Sequence, residues 1–213
     1  MERKKAFIYT GGTVFEEFVS EKPEAGDLVI AADAGYLTAQ KMNIKVDVLL
    51  GDFDTLGEEN IPDGIECLRV PCEKDDTDTQ LAVRTAIERG AKEIVIVGGV
   101  SGRLDHTLST LAILEDLWER KNDRIYAILT DGKNRVRFLR NSGTILPRSQ
   151  YRYFSLIAAD DLIKGVTLDG CKYPLKNGRI SRRNQWAVSN EITGNCALVE
   201  ISRGGAWVIE SMD

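Results

Sequence analysis

A chain of 213 residues with 43% hydrophobic and 29% charged side chains has the composition of a globular protein, long enough for one large domain or two modest ones. Its formal net charge of -5 lacks the basic excess of a general nucleic-acid binder, and leaves open small phosphorylated ligands, which need only a local cationic pocket. Cys67, Cys72, Cys171 and Cys196 show no zinc-type spacing, no apolar run nears membrane-spanning length, and Met1–Lys5 leads into no signal core; buried, reduced thiols in a cytoplasmic protein are expected.

Taken in order, Ala6-Phe7-Ile8-Tyr9 reads as a buried strand followed by the loop Thr10-Gly11-Gly12-Thr13. Leu28–Ala32 is a second strand that ends in an acid, Asp33, and Tyr36–Met42 has helical spacing. Val48–Asp54 reads as a third strand whose end carries Gly51-Asp52-Phe53-Asp54. In a strand continuing through those acids, Asp52 and Asp54 share one face, and two such carboxylates repel unless a cation lies between them. The polar loop Thr55–Gly64 and a short strand, Ile65–Val70, come next.

Asp76–Arg89 reads as a helix with Leu81, Ala82, Thr85 and Ala86 as its apolar stripe, stopped by Gly90. The strand Ile94–Val97 runs into Gly98-Gly99, and Leu104–Arg120 is a second long helix with Leu104, Leu108, Leu111 and Leu114 near helical spacing. Ile125–Leu129 closes this alternation of strands and helices. The pattern predicts an α/β domain over residues 1–139, a mostly parallel sheet with helices on both faces. Beyond it, short apolar runs such as Tyr153–Ala158, Gly165–Leu168, Trp186–Val188, Ala197–Ser202 and Trp207–Glu210 predict a smaller all-β sandwich over residues 140–213.

In a parallel sheet ligands bind beyond the carboxyl ends of the strands, where Asp33, Asp52, Asp54 and Gly98-Gly99 fall. Clustered carboxylates without a neighbouring His or Cys suit a hard cation such as Mg2+, which bridges protein to substrate phosphates. Lys74-Asp75-Asp76-Thr77-Asp78 opens a helix; taken alone, such a turn reads as a cap, although Asp75 and Asp78 share a helix face and a helix N-terminus also accepts phosphate oxygens. Gly98-Gly99-Val100-Ser101-Gly102-Arg103-Leu104-Asp105-His106 is a glycine-rich turn without the Walker or Rossmann offsets, in which Arg103 offers a bidentate phosphate contact and Asp105 either orients it or serves a metal through water. His106 reads as a satisfied helix-end residue. Trp186 beside Ser189-Asn190-Glu191 leaves room for an aromatic ligand platform.

Together, Gly51-Asp52-Phe53-Asp54-Thr55, Lys74-Asp75-x-Thr77-Asp78, the Gly-Gly-x-x-Gly-Arg-x-Asp-His run and Trp-x-x-Ser-Asn-Glu resemble the thiamine pyrophosphokinases, in order and over nearly the whole chain. The resemblance implies transfer of a pyrophosphoryl group from ATP to the hydroxyl of thiamine, giving thiamine diphosphate and AMP. It also implies a homodimer with the thiamine pocket between subunits. By position it assigns Asp33, Asp52, Asp54 and Asp78 to Mg2+ and phosphate, with Asp75, Arg103 and Asp105 lining that site and Lys74, Thr77 and Gly99 beside them on the nucleotide. Asp52, Asp54, Asp78 and Arg103 form the expected catalytic set, Asp78 being the candidate proton acceptor. Trp186, Ser189 and Asn190 fall where the family holds the thiamine rings. Ala34 after Asp33 and Thr55 are small departures from the common Gly and Ser. Two alternatives stand beside this: a diphosphokinase for another heteroaromatic alcohol such as a hydroxymethylpterin, and a non-catalytic nucleotide- or thiamine-binding module.

Overall fold

The structure, a computed structural model, describes residues 4–53, 57, 61, 64–69, 76–120 and 125–213. Asp54, Thr55, Cys72, Lys74 and Asp75 lie outside the described residues. The chain divides into two compact units, Met1–Gly132 and Lys133–Asp213.

The first unit alternates β1 (Lys5–Tyr9), β2 (Leu28–Ala32), α1 (Gly35–Lys41), β3 (Val48–Gly51), β4 (Glu66–Arg69), α2 (Asp78–Glu88), β5 (Glu93–Val97), α3 (Leu104–Glu119) and β6 (Tyr126–Thr130). Its sheet runs β6-β5-β1-β2-β3-β4, and every neighbouring pair is parallel. Because helices cover both faces, the central strands are near-continuous apolar runs rather than alternating ones. Phe7, Tyr9, Val29, Ala31, Leu49, Val95 and Val97 line one face, packed against Ala39 and Tyr36 of α1 and against Phe53. Helix α2 packs on β1, β2 and β3 with α3 beside it, and α3 also packs on β6.

Three expectations change. The third strand does not run through the acids: β3 ends at Gly51, and Phe53 is buried with φ 64°, so the alternation argued for Asp52 and Asp54 has no strand to carry it. On α3 the apolar spacing starting at Leu104 is not the buried face, since Leu104 and Leu108 are exposed and Thr110, Ile113, Leu114, Leu117 and Trp118 are covered. On α2 the covered residues are Ala82, Val83 and Ala86.

The second unit contains β7 (Asn134–Arg140), β8 (Gly143–Pro147), β9 (Tyr153–Ala158), β10 (Leu162–Asp169), β11 (Leu175–Ser181), β12 (Asn190–Glu191), β13 (Cys196–Arg203) and β14 (Gly205–Ser211). Antiparallel pairing gives the orders β12-β9-β14-β7 and β11-β10-β13-β8, the layers of a sandwich. Strand β9 alternates buried and half-buried residues, as a strand with one covered face should. The unit begins before residue 140 because β7 pairs along its whole length with the C-terminal β14, a partnership of distant segments. Inside, the carboxylate of Glu210 is buried between Arg135 at 2.8 Å and Arg137 at 2.7 Å. Trp186–Val188, expected as a strand, is a loop. Cys67, Cys171 and Cys196 are free thiols, but only Cys171 is buried. No helix among the described residues is long and apolar enough to cross a membrane.

Candidate active site

Strand order reverses direction between β1 and β5, so the loops leaving these two strands lie at the switch point on the carboxyl edge of the sheet, the place where open α/β sheets bind ligands. The backbone there is stitched tightly. Thr10 N–H donates to the Val97 carbonyl at 2.9 Å, and Gly99 N–H donates to the Gly11 carbonyl at 3.1 Å. The Ser101 hydroxyl accepts from Thr13 N–H at 2.7 Å and donates to its carbonyl at 3.1 Å. Gly98 has φ 101°, and a Cβ at that position would stand 2.7 Å from the Thr10 carbonyl oxygen; only glycine allows this approach. Gly99 is therefore held against the loop after β1.

Next along the edge, Asp33 follows β2 with φ 44° and donates its N–H to the Leu50 carbonyl of β3 at 2.8 Å. A Cβ on Gly51 would come within 3.3 Å of the Asp33 Cβ, so the absence of a side chain at Gly51 is what lets Asp33 close against the end of β3. Half-buried Asp52 follows directly. The Asp33 Oδ1 atom is buried and has no hydrogen-bond partner among the described residues. A buried carboxylate oxygen left in that state is costly unless something else meets it. Among the described residues no three His, Cys, Asp or Glu side chains form a group that would hold a metal ion, and the expected set extends to Asp54, outside them.

Thr77 is the cap of α2. Its hydroxyl accepts from Gln80 N–H at 3.2 Å while the Gln80 side chain accepts from Thr77 N–H at 2.8 Å, a closed capping box. The Thr77 hydroxyl thus accepts from the helix and keeps its own hydrogen to donate, and Asp78 is the first residue of the helix behind it. At the start of α3, Arg103 Nε and Nη2 reach the carboxylate of Asp105 at 3.2 and 2.6 Å. The guanidinium holds the Asp105 carboxyl down at about 2, helped by the His106 N–H. Both side chains are exposed, so the pair stands in solvent at the start of α3. His106 donates its backbone N–H to Asp105 and accepts the Thr110 hydroxyl on its carbonyl, in keeping with a structural role.

In the second unit Trp186, Tyr173, Val188, Ala187, Leu168 and Asn190 line a pocket of about 330 Å³. The Trp186 loop is pinned to β9: Gln185 exchanges two 3.0 Å hydrogen bonds with the backbone of Ala158, and Ala187 accepts from Leu156 N–H at 2.8 Å. Ser189, with φ 56°, donates its N–H to the Ser155 hydroxyl at 3.1 Å. Asn190 is buried, and its amide is spent on neighbouring backbone and on the Cys171 sulfur. Tyr173 was not among the residues expected here. Its only sequence signal is an aromatic in a polar stretch before Pro174. Ser101 lay inside the glycine-rich motif, but nothing in the motif announced its bond to Thr13.

The model of the thiamin pyrophosphokinase catalytic domain matches residues 21–127, and that of the thiamin pyrophosphokinase vitamin B1 binding domain matches residues 143–204. A thiamine pyrophosphokinase of Bacillus subtilis (strain 168) is 31% identical over 191 residues, covering 87% of this chain and 88% of that protein. The crystal structure of thiamine pyrophosphokinase from Bacillus subtilis matches with a TM-score of 0.87 and 26% identity over 99% of this chain and 100% of that one. The corresponding structure from Geobacillus thermodenitrificans has a TM-score of 0.85 and 25% identity, covering 98% of each chain. With one family domain matched in each unit and the carboxylate edge and aromatic pocket falling within them, this chain belongs to the thiamin pyrophosphokinase family.

Proposed function

We propose that this protein transfers the terminal pyrophosphoryl group of ATP to the hydroxyl of thiamine, forming thiamine diphosphate and AMP. The observation that carries the reading is one chain holding both a strand edge with an unsatisfied buried carboxylate oxygen and an aromatic-walled pocket in a vitamin B1 binding domain. The alternative alcohol acceptor finds no support in either unit.

In the transfer, the thiamine oxygen attacks the β-phosphorus, the bond from that phosphorus to the α-phosphate bridging oxygen breaks, and AMP leaves. Mg2+ fits the site because the donor set is carboxylate oxygen and Asp33 Oδ1 lacks a partner among the described residues. Asp33, Asp52, Asp54 and Asp78 would hold it, and when bound it would neutralise phosphate charge. The chain's own contribution is orientation. The N–H groups of Gly98 and Gly99 are spent on the Thr130 and Gly11 carbonyls, so phosphate is received by the turn's later N–H groups, from Val100 to Gly102, and Arg103, aligned by Asp105, takes charge on the moving group. Lys74, Asp75 and Thr77 border the nucleotide at the start of α2. A carboxylate, Asp78 in this proposal, takes the hydroxyl proton. Trp186 and Ser189 hold the vitamin. The protein works as a homodimer in the cytoplasm, with the vitamin site completed between subunits.

Incubation with ATP, MgCl2 and thiamine, followed by chromatography of the nucleotides, tests the reading. AMP with thiamine diphosphate is the expected result. ADP as product overturns it, and thiamine binding without turnover replaces it with the binding-module alternative.

A further inference from the structure

The pocket of the second unit has two large aromatic side chains that remain open to solvent. Tyr173 is 60% exposed and Trp186 48% exposed, and both line the same cavity. Lys172 Nζ stands over the Tyr173 ring at 5.6 Å from its centroid, and the ring still leaves more than half of its residue's surface open beside the cavity. Exposed aromatic surface converging on one cavity is the ordinary sign of a flat apolar ligand.

Tyr173 is also held with unusual completeness for a loop residue. Its N–H donates to Asn190 Oδ1 at 3.0 Å, and Asn190 Nδ2 donates to its carbonyl at 2.9 Å, a two-way clamp across a sequence separation of 17. The same Oδ1 accepts from Glu191 N–H at 3.0 Å, and Nδ2 also reaches the Cys171 sulfur at 3.3 Å. An amide has two acceptor positions and two donor hydrogens, so Asn190 has no hydrogen bond left for a ligand. It is only 4% exposed. Pro174 further restricts the Tyr173 backbone to extended conformations. A second tie reinforces the segment, with Lys172 N–H on the Glu191 carbonyl at 2.9 Å and Lys172 Nζ on the Glu191 carboxylate at 2.7 Å.

We infer that Tyr173 is the second aromatic wall of the pocket, facing Trp186 and setting its preference for a flat heteroaromatic ligand, and that Asn190 is the positioning residue that holds Tyr173 in place. The inference rests on the thiamine reading above. It gives Asn190 a different part from the one its motif implies: it builds the wall and leaves the ligand contact to Tyr173.

Equilibrium titration of the full chain with thiamine, without ATP and followed by tryptophan fluorescence, separates these roles. Tyr173→Phe should bind thiamine within about twofold of wild type, and Tyr173→Leu about tenfold more weakly. Asn190→Ala should lose about the same factor, while the KM for ATP stays unchanged in every variant. The double variant should bind no more weakly than Tyr173→Leu alone, since a residue acting through Tyr173 has nothing to lose once the ring is gone. Losses that multiply overturn the role of Asn190, and wild-type affinity in Tyr173→Leu overturns that of Tyr173. If Asn190→Ala fails to fold, Asn190→Ser, which leaves a small polar group and brings in no buried charge, takes its place; a loss, again absent in the Tyr173→Leu background, is then required. A wild-type protein that shows no thiamine response overturns the functional reading itself, a result distinct from each of these.

Discussion

Ser101 holds both backbone groups of Thr13, accepting its N–H at 2.7 Å and donating to its carbonyl at 3.1 Å, so one hydroxyl joins the loops after β5 and β1 across the reversal in strand order. The glycine-rich turn after β5 is therefore not shaped by its glycines alone. Ser101→Ala should destabilise the protein by about 1 kcal/mol, near the usual worth of such a bond. It should raise the KM for ATP and leave that for thiamine unchanged. Steady-state kinetics with each substrate varied in turn checks this; equal effects on both KM values would reduce the latch to a general stability element.

Asp33 sits at φ 44°, a backbone region in which Asn is as much at home as Asp, so Asp33→Asn changes charge without changing shape. The buried Oδ1 has no hydrogen-bond partner among the described residues, so the substitution breaks no bond at that atom. The variant should melt no lower than wild type and lose turnover on the order of 100-fold. Mg2+ added alone should raise the wild-type melting temperature and leave that of Asp33→Asn in place. A variant that unfolds instead would make Asp33 a structural residue.

How far the chain discloses itself varies with the distance over which each feature is decided. The acids at the ends of β2 and β3 were legible because a parallel sheet buried on both faces writes its strands as unbroken apolar runs, and a charge directly after such a run stands out. That β3 stops at Gly51 was not legible, since Phe53 adopts φ 64° only because the core receives its ring. The helix α3 was legible, but not which of its leucines would be covered. Leu104 and Leu108 have helical spacing, but which turns of a helix are covered depends on where β6 lies. Thr77 could be read as a cap or as a phosphate ligand; the Gln80 N–H bonds its hydroxyl and the Gln80 side chain takes its N–H, which makes it the cap. Tyr173 and the clamp from Asn190 stayed invisible because they join segments that no local pattern connects.

The carboxyl of Asp105 lies at about 2, chiefly because Arg103 donates to it. A depressed value in the folded state means that the pair's contribution is present above the unfolded value, about 4, and fades as pH falls through 2. Asp105 is consequently ionised at every pH at which the protein would be assayed. Asp105→Asn should lower turnover by a constant factor between pH 5 and pH 9, with no shift in the acid limb of the rate profile. An acid limb that moves in the variant would identify Asp105 as a proton carrier and contradict its orienting role.

Tyr9 lies at the end of β1, fully buried, with a hydroxyl that has no hydrogen-bond partner among the described residues. Burial alone pushes its pKa up to about 12, so the group is a neutral donor held away from water, with nothing among the described residues to receive its hydrogen. Its ring is useful where it stands, packed in the cluster with Phe7, Ala31, Leu49 and Val97. Tyr9→Phe keeps that packing and removes the stranded hydroxyl, and should stabilise the protein by about 1 kcal/mol. In a domain of this size that corresponds to a rise of about 2–4 °C in Tm, readable by calorimetry. A lower Tm would show that the hydroxyl is satisfied after all, by ordered water at the carboxyl edge of the sheet.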